Sequence, residues 1–346
     1  MFLVGTFALA KYRNAPPGPV QSNGQLRVAT FSQNLTNARV LVLDPQGTLL
    51  VSQPSVGKVV ALSDPNNPVT VIDGLNSPHG LAFRQGKLYI AETNRISVFD
   101  YHPDTKKATN SRPIIDLPNR GGHFTRTILF TPDDKLLISV GSSCNICNES
   151  DWRRAKILIA NPDGSNLREF AAGLRNSVFM ALHPLTQELW ATDMGRDWLG
   201  DNLPPDEINI VKQDQNYGWP FCYGKNITDP FNSRNQLDCS QAQSSHIDIP
   251  AHSAPLGLAF IPADSSWPQD YWNNLLVAYH GSWNRTVPTG YKIVRYKLDT
   301  SGKYLDQEDF LTDIGRPVDI LVNSDGTAYI SDDKNGIIYK LTYEGG

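Results

Sequence analysis

An apolar strand, a turn built on Pro, Asp or Gly and a second apolar strand recur six times along the chain, and this repeat limits the fold more than any other feature. The first four units occupy residues 40–51, 80–90, 128–138 and 180–190. The fifth opens at 257–262 and resumes at 274–277 after an insertion, and the sixth covers 320–330. In each unit the turn residues supply unusual φ angles, and the flanking runs read as short buried strands. Further alternating strands follow at 58–62, 96–99, 156–159, 207–211, 291–296 and 337–341. Second strands begin roughly 40 to 90 residues apart, the scale of a propeller blade plus its loops. A four-stranded blade cannot bury both faces alone, so the six must stack in a ring. The expected fold is all-β: a six-bladed β-propeller of four-stranded antiparallel blades around a central channel. Residues 25–31 are the candidate for the strand that closes the ring. The segment 1–20 reads as an N-terminal extension and 21–346 as one propeller domain.

Composition narrows the partners. The net charge is -4 and no basic run occurs, which argues against nucleic acid. No apolar stretch approaches the ~20 residues a membrane span needs. Residues 1–10 are apolar but short and run into Lys11, Tyr12 and Arg13, an ordinary N-terminal segment with a secretion-signal remnant as the alternative. The four cysteines form two close pairs, Cys144 with Cys147 and Cys222 with Cys239. Two disulfides in an oxidising compartment are the expected reading, with free thiols or a metal or redox site as alternatives. Sequons at Asn34, Asn148, Asn226 and Asn284 occur at about the chance frequency and decide nothing.

The first strand of each blade lines the channel, so polar residues just ahead of it converge at one mouth. Those positions hold Arg39, His79, His123 with Arg126, Arg175 with Asn176, His252, and Arg316. Several cations there, with no matching carboxylates in the same positions, suggest an anionic ligand. The competing reading for any single Arg is a staple between blades through backbone carbonyls. The stretch 193–207 is rich in carboxylates and turns, oxygen ligands of the kind that suit Ca²⁺, with a solvated acidic loop as the alternative.

Several segments resemble, in order along the chain, the soluble quinoprotein sugar dehydrogenases. These comprise soluble glucose dehydrogenase, sorbosone dehydrogenase-like proteins and fungal pyranose dehydrogenase, and use pyrroloquinoline quinone (PQQ). The segments are Gly121-Gly-His-Phe-Thr-Arg126, Val140-Gly-Ser-Ser-Cys-Asn-Ile-Cys147 and Gly173-Leu-Arg-Asn176, then Asp206-Glu-Ile-Asn209 and Asn216-Tyr-Gly-Trp-Pro220. They continue through residues 251–258, His280-Gly-Ser-Trp-Asn-Arg285 and Gly315-Arg-Pro-Val-Asp319. The Cys-x-x-Cys and His-Gly-Ser-Trp segments look closest to the sorbosone and pyranose type.

The resemblance implies roles. His123 matches the general base that takes the proton from a sugar's anomeric hydroxyl. Arg175 and Asn176 match contacts to the quinone oxygens, and Arg175 would also stabilise developing negative charge. Arg316 matches an arginine that pairs with cofactor carboxylates, and Arg39 falls where it would meet the same cofactor. Gly195 and Arg196 align with the pair whose carbonyls hold the cofactor's Ca²⁺. Asp206, Glu207 and Tyr217 align with a second, structural Ca²⁺ site. The chain departs from soluble glucose dehydrogenase at a cofactor-binding lysine, where it reads His280-Gly-Ser-Trp283, and at a second blade-six arginine, here Val318. His280, Trp283 and Arg285 are therefore cofactor-contact candidates by position. His79 reads as structural and His252 stays open.

The expected function is a PQQ- and Ca²⁺-dependent dehydrogenase that oxidises a monosaccharide, an aldose or ketoaldose. Electrons would pass to an external acceptor such as a haem protein or haem domain. The cysteine pairs suit an oxidising compartment, so the expected location is extracytoplasmic, secreted or periplasmic, and the expected state is a monomer. The alternatives are a calcium-dependent propeller hydrolase of the lactonase kind and a propeller used only for binding. The first of these predicts carboxylates and amides at the channel centre, where the blade starts read Arg and His.

Overall fold

The structure, a computed structural model, describes residues 20–22 and 26–344. The N-terminal segment expected over 1–20 lies outside the described residues except for Val20, as does Gln25 of the expected closing strand.

Six antiparallel sheets of four principal strands follow one another along the chain. Blade one is Leu41–Leu43, Leu49–Gln53, Lys58–Ala61 and Val69–Ile72. Blade two is Gly80–Arg84, Lys87–Ala91, Arg95–His102 and Lys107–Asp116. Blade three is Arg126–Phe130, Leu136–Val140, Lys156–Ala160 and Arg168–Ala172. Blade four is Met180–Leu182, Leu189–Asp193, Asp206–Val211 and Ile247–Ile249, and blade five is Pro255–Phe260, Leu275–Tyr279, Lys292–Leu298 and Tyr304–Thr312. Blade six takes Pro317–Val322, Ala328–Asp332 and Ile337–Tyr343 from the C-terminal end and Leu26–Ser32 from the N-terminal end. That pairing, Leu26 opposite Tyr343, closes the ring as the sequence predicts. The first strand of each blade touches the first strand of the next, and that of blade six returns to blade one.

Burial follows position in the blade. The second strands are buried at every residue in blades one, three, four and five, whereas the outer strand Lys107–Asp116 is mostly exposed. Continuous apolar runs therefore mark strands covered on both faces, and polar residues mark the rim. Between blades, side-chain hydroxyls reach backbone carbonyls of the next blade: Thr127 to Val178, Thr192 to Leu256 and Ser331 to Arg39. Glycine allows the closest approach of inner strands. A Cβ on Gly257 would stand 2.6 Å from Val318 O. Both cysteine pairs are disulfides, Cys144–Cys147 and Cys222–Cys239.

Candidate active site

Antiparallel pairing brings the end of each second strand beside the start of the first. Gly80 pairs with Ala91, Arg126 with Val140, Met180 with Ala191, Pro255 with Tyr279 and Pro317 with Asp332. Residues that end or follow the second strands, among them Ser142, Asp193, His280 and Asp333, therefore share a mouth with the Arg and His that precede the first strands. This brings carboxylates to cations that the blade starts alone leave unpaired.

The first cluster joins blades one, five and six. Arg39 Nη1 donates to Asp333 Oδ2 at 2.7 Å. His280 Nε2 donates to Asp333 Oδ1 at 3.0 Å, which leaves Nδ1 to accept from Arg316 Nη2 at 2.8 Å. Burial alone would raise the Asp333 carboxyl, but the His280 hydrogen bond and the charges of His280, Arg39 and Arg316 hold it at about 2. Burial lowers both His280 and Arg39. The Arg316 guanidinium also donates to Gly281 O and forms no ion pair among the described residues. Arg39 Nε is buried without a partner, and so is Nε2 of the neighbouring His79. Asp333 thus ion-pairs with Arg39 but not with Arg316, whose guanidinium donates to His280 and Gly281 O, and a buried Arg39 donor is left over.

The second cluster sits on blades three and four. His123 Nδ1 lies 3.1 Å from Ser142 O, an acceptor that places the proton on Nδ1 and leaves Nε2 bare. Burial first and then the Arg175 charge hold this imidazole down to about 3. Arg126 and Arg154 both donate to His123 O, and Arg154 also reaches the carbonyls of Pro118, Arg120, Gly121 and Gly141. These two buried arginines fasten the loop that carries His123; the carbonyls Arg126 reaches, on Pro118, His123 and Thr125, lie in the segment leading into its own strand rather than in a neighbouring blade. Arg175 is buried and donates to Asn145 O, Asn145 Oδ1, Met194 O and Gly195 O. Its Nη2 is 3.8 Å from Asp197 Oδ2, outside hydrogen-bond range. Asn176 Nδ2 donates to Met194 Sδ. Its Oδ1 and His123 Cβ flank Gly141, where a Cβ would stand 2.4 Å and 2.8 Å from them. Asp193 accepts from the backbone N of both Arg175 and Asn176, orienting the pair.

Beside Arg175 is a small cavity of about 20 Å³, lined by Asp193, Gly195, Arg196, Glu207, Tyr217 and Asp229, among others. That volume suits one water-sized occupant. Burial and the Glu207 charge push Asp193 well above the ordinary carboxylate range, and burial pushes Glu207 up to about 7. Two neighbouring buried carboxylates facing a cavity of ionic size form a donor set that a hard cation would balance. The residues aligned with two separate calcium sites thus meet at one cavity. Asp206 stands apart from it: its oxygens accept from Gly195 N at 2.8 Å and Ala254 N at 2.9 Å, tying the 195–205 loop to blade five. Arg196 turns its side chain to Asp229 at 2.8 Å.

Trp283 and Arg285 stand outside the Arg39–Asp333–His280–Arg316 cluster. Trp283 is half exposed and meets the exposed Trp198 edge to face at 5.5 Å. Arg285 reaches Asn202 Oδ1 at 3.0 Å. His252 donates to Gly200 O at 2.8 Å, which makes it a support of the same loop. A larger cavity of about 480 Å³ opens behind the His123 loop between Asn94, Arg120, Glu149 and Arg154.

The chain has relatives among known proteins. An uncharacterised protein of Borreliella burgdorferi is 32% identical over 92% of this chain and 89% of its own length. A pyrroloquinoline quinone-dependent pyranose dehydrogenase of Coprinopsis cinerea is 28% identical over 93% of this chain, which spans only 55% of that protein. The solved PQQ domain of a Coprinopsis cinerea pyranose dehydrogenase superposes with a TM-score of 0.80 at 23% identity, over 95% of this chain and 98% of that one. A Trichoderma reesei carbohydrate-active enzyme of family AA12 gives 0.81 at 23% identity over the same shares. The TrAA12-like family model matches residues 20–344, and the chain belongs to that family.

Proposed function

We propose that the protein is a PQQ- and Ca²⁺-dependent dehydrogenase that oxidises a monosaccharide, an aldose or ketoaldose. The observation that carries this reading is a division of labour at one mouth. On one side, Arg39 and His280 bind the Asp333 carboxylate and Arg316 binds His280, with a buried Arg39 donor to spare. On the other, His123 has one nitrogen held and one bare, close to Arg175. The relatives' PQQ fits that donor set, an anionic planar group meeting forked cations.

When bound, PQQ supplies a two-electron acceptor and Ca²⁺ a Lewis acid beside it. Arg39 and Arg316 would hold the cofactor's carboxylates, with His280 between them. Arg175 contributes charge more than free donors, since four of its five N–H groups are engaged. Asp193 and Glu207, with Gly195, Arg196 and Tyr217 around the same cavity, would hold Ca²⁺. His123 receives the sugar's hydroxyl proton at Nε2, while Ser142 O keeps the other proton on Nδ1 and so fixes the tautomer. A pyranose relative and two disulfides support a sugar substrate and an extracytoplasmic site, secreted or periplasmic. A haem protein or domain would take the electrons from the monomer.

The test is a titration of the full chain with PQQ and CaCl₂ followed by ultraviolet-visible absorption, then a panel of aldoses and ketoaldoses with a redox dye. Saturable spectral change and sugar-dependent dye reduction are expected. No spectral change together with no dye reduction would sink the reading.

A further inference from the structure

The loop between the second and third strands of blade three touches both catalytic candidates. Ser142 places O and Oγ 3.1 Å from His123 Nδ1, and its hydroxyl donates to Cys144 O at 2.7 Å. The next residue, Asn145, accepts from Arg175 twice: Nε to its carbonyl at 2.9 Å and Nη2 to its Oδ1 at 2.9 Å. The same Oδ1 accepts from Asp197 N at 2.8 Å, and Asn145 Nδ2 donates to Asp197 O at 3.1 Å. Asn145 thus joins the guanidinium to the 195–205 loop. It lies inside the short ring closed by the Cys144–Cys147 disulfide, and both cysteines are half-buried.

We propose that Asn145 is a positioning residue that fixes the Arg175 guanidinium, and that the Cys144–Cys147 disulfide pins Asn145, so that cleaving it loosens the site. An arginine side chain loses much rotamer freedom when ordered, and bonds from a pre-ordered partner offset that cost. A disulfide across two intervening residues leaves the segment few alternatives, whereas a loop with two free thiols regains them. In the cleavage step a dithiol reductant attacks: the Cys144–Cys147 S–S bond breaks and each sulfur ends with a proton. The reductant's two thiols lose two electrons and two protons and join as its own disulfide. The effect on function rests on the proposed quinone chemistry; the effect on Arg175 does not.

The experiment therefore has two arms. In the first, hydrogen exchange of the Arg175 Nε–H is followed by NMR without cofactor, the signal being assigned by its loss in Arg175→Lys. Slow exchange in the wild type should quicken at least about 10-fold in Asn145→Ala and in Cys144→Ser/Cys147→Ser. Lys87→Ala, which breaks an exposed ion pair with Asp100 on blade two, should leave it unchanged, and melting curves confirm that each variant is folded. In the second arm PQQ affinity is measured in a double-mutant cycle. Asn145→Ala should weaken binding about 10-fold in the wild-type background but less than about 2-fold beside Arg175→Ala. Unchanged exchange in Asn145→Ala and in the disulfide variant, or equal losses in both backgrounds, would overturn the inference. A wild type that never binds PQQ overturns the proposed function alone, and the exchange arm still decides the role of Asn145.

Discussion

Arg39 and Asp333 form an ion pair at 2.7 Å, with side chains only 8% and 10% exposed, between the first blade and the last. The pair closes the mouth where the ring itself closes, since Asp333 follows a strand of blade six that also sends Ser331 Oγ to Arg39 O. A buried pair contributes little net stability over an apolar replacement, but losing one partner is costly. Its place therefore points to arranging charge at the mouth rather than to holding the blades.

Asp333→Asn would leave Arg39 buried without its counter-charge. A loss of about 3–5 kcal/mol is expected in urea unfolding of the cofactor-free protein. Added PQQ should raise the melting temperature of this variant more than that of the wild type, because its carboxylates would restore the missing charge. Stability within about 1 kcal/mol of wild type would contradict the pairing.

His123→Ala should lower kcat/KM about 10²–10⁴-fold with PQQ binding retained, the range for a positioned acid–base group. Its imidazole is held down to about 3, so it is the neutral base across pH 5–8. The sugar-oxidation rate should therefore lack the acid limb that an ordinary histidine gives near 6.5. In the cofactor-free protein, an NMR titration should show no protonation of this ring between pH 7 and 5. A midpoint near 6.5 would show the opposite.

The ring was legible because its signal is periodic: each buried second strand is a run of apolar residues after a turn. His123, Arg175 and Arg316 were legible as residues ahead of inner strands. Asp333 and Ser142 carry no signal ahead of an inner strand, and Asp193 stands out only as the first carboxylate of the stretch 193–207, although the register that pairs Pro317 with Asp332 puts the ends of second strands at the same mouth. Reading both strand ends would have found them. Asn145 has no such signal, because its role depends on a loop conformation that spacing does not encode. The meeting of Gly195, Glu207 and Tyr217 at one cavity likewise depends on how loops fold over blade four.

Asp319 accepts from Leu41 N and Ile320 N in a buried setting, and burial raises its carboxyl to about 7. A carboxyl raised on folding binds its proton more tightly in the native state. Its contribution to stability is complete below the unfolded value of 3.8 and is lost as pH rises towards about 7. Asp319→Asn cannot ionise. Across that window its stability should fall less steeply than wild type, by up to about 1.4 kcal/mol per pH unit. A constant loss of about 1–3 kcal/mol is also expected, because the amide nitrogen replaces one acceptor. Urea unfolding at pH 4.5, 6 and 8 checks this; parallel curves would refute it.

The Cys222–Cys239 disulfide spans 17 residues within the excursion between the third and fourth strands of blade four. Cutting a loop of that length in the unfolded chain should cost about 3 kcal/mol, so Cys222→Ser/Cys239→Ser should lower unfolding stability by roughly that amount. The excursion also supplies Tyr217, Cys222 and Tyr223 to the wall of the small cavity, and Gly224 N donates to Glu207 Oε1 at 2.6 Å. Freeing it removes order from that wall as well as a cross-link from the chain. Ca²⁺ should therefore raise the melting temperature of the double variant less than that of the wild type at equal concentration. A lowered melting temperature with an undiminished Ca²⁺ shift would show that the excursion stabilises the blade without shaping the cavity.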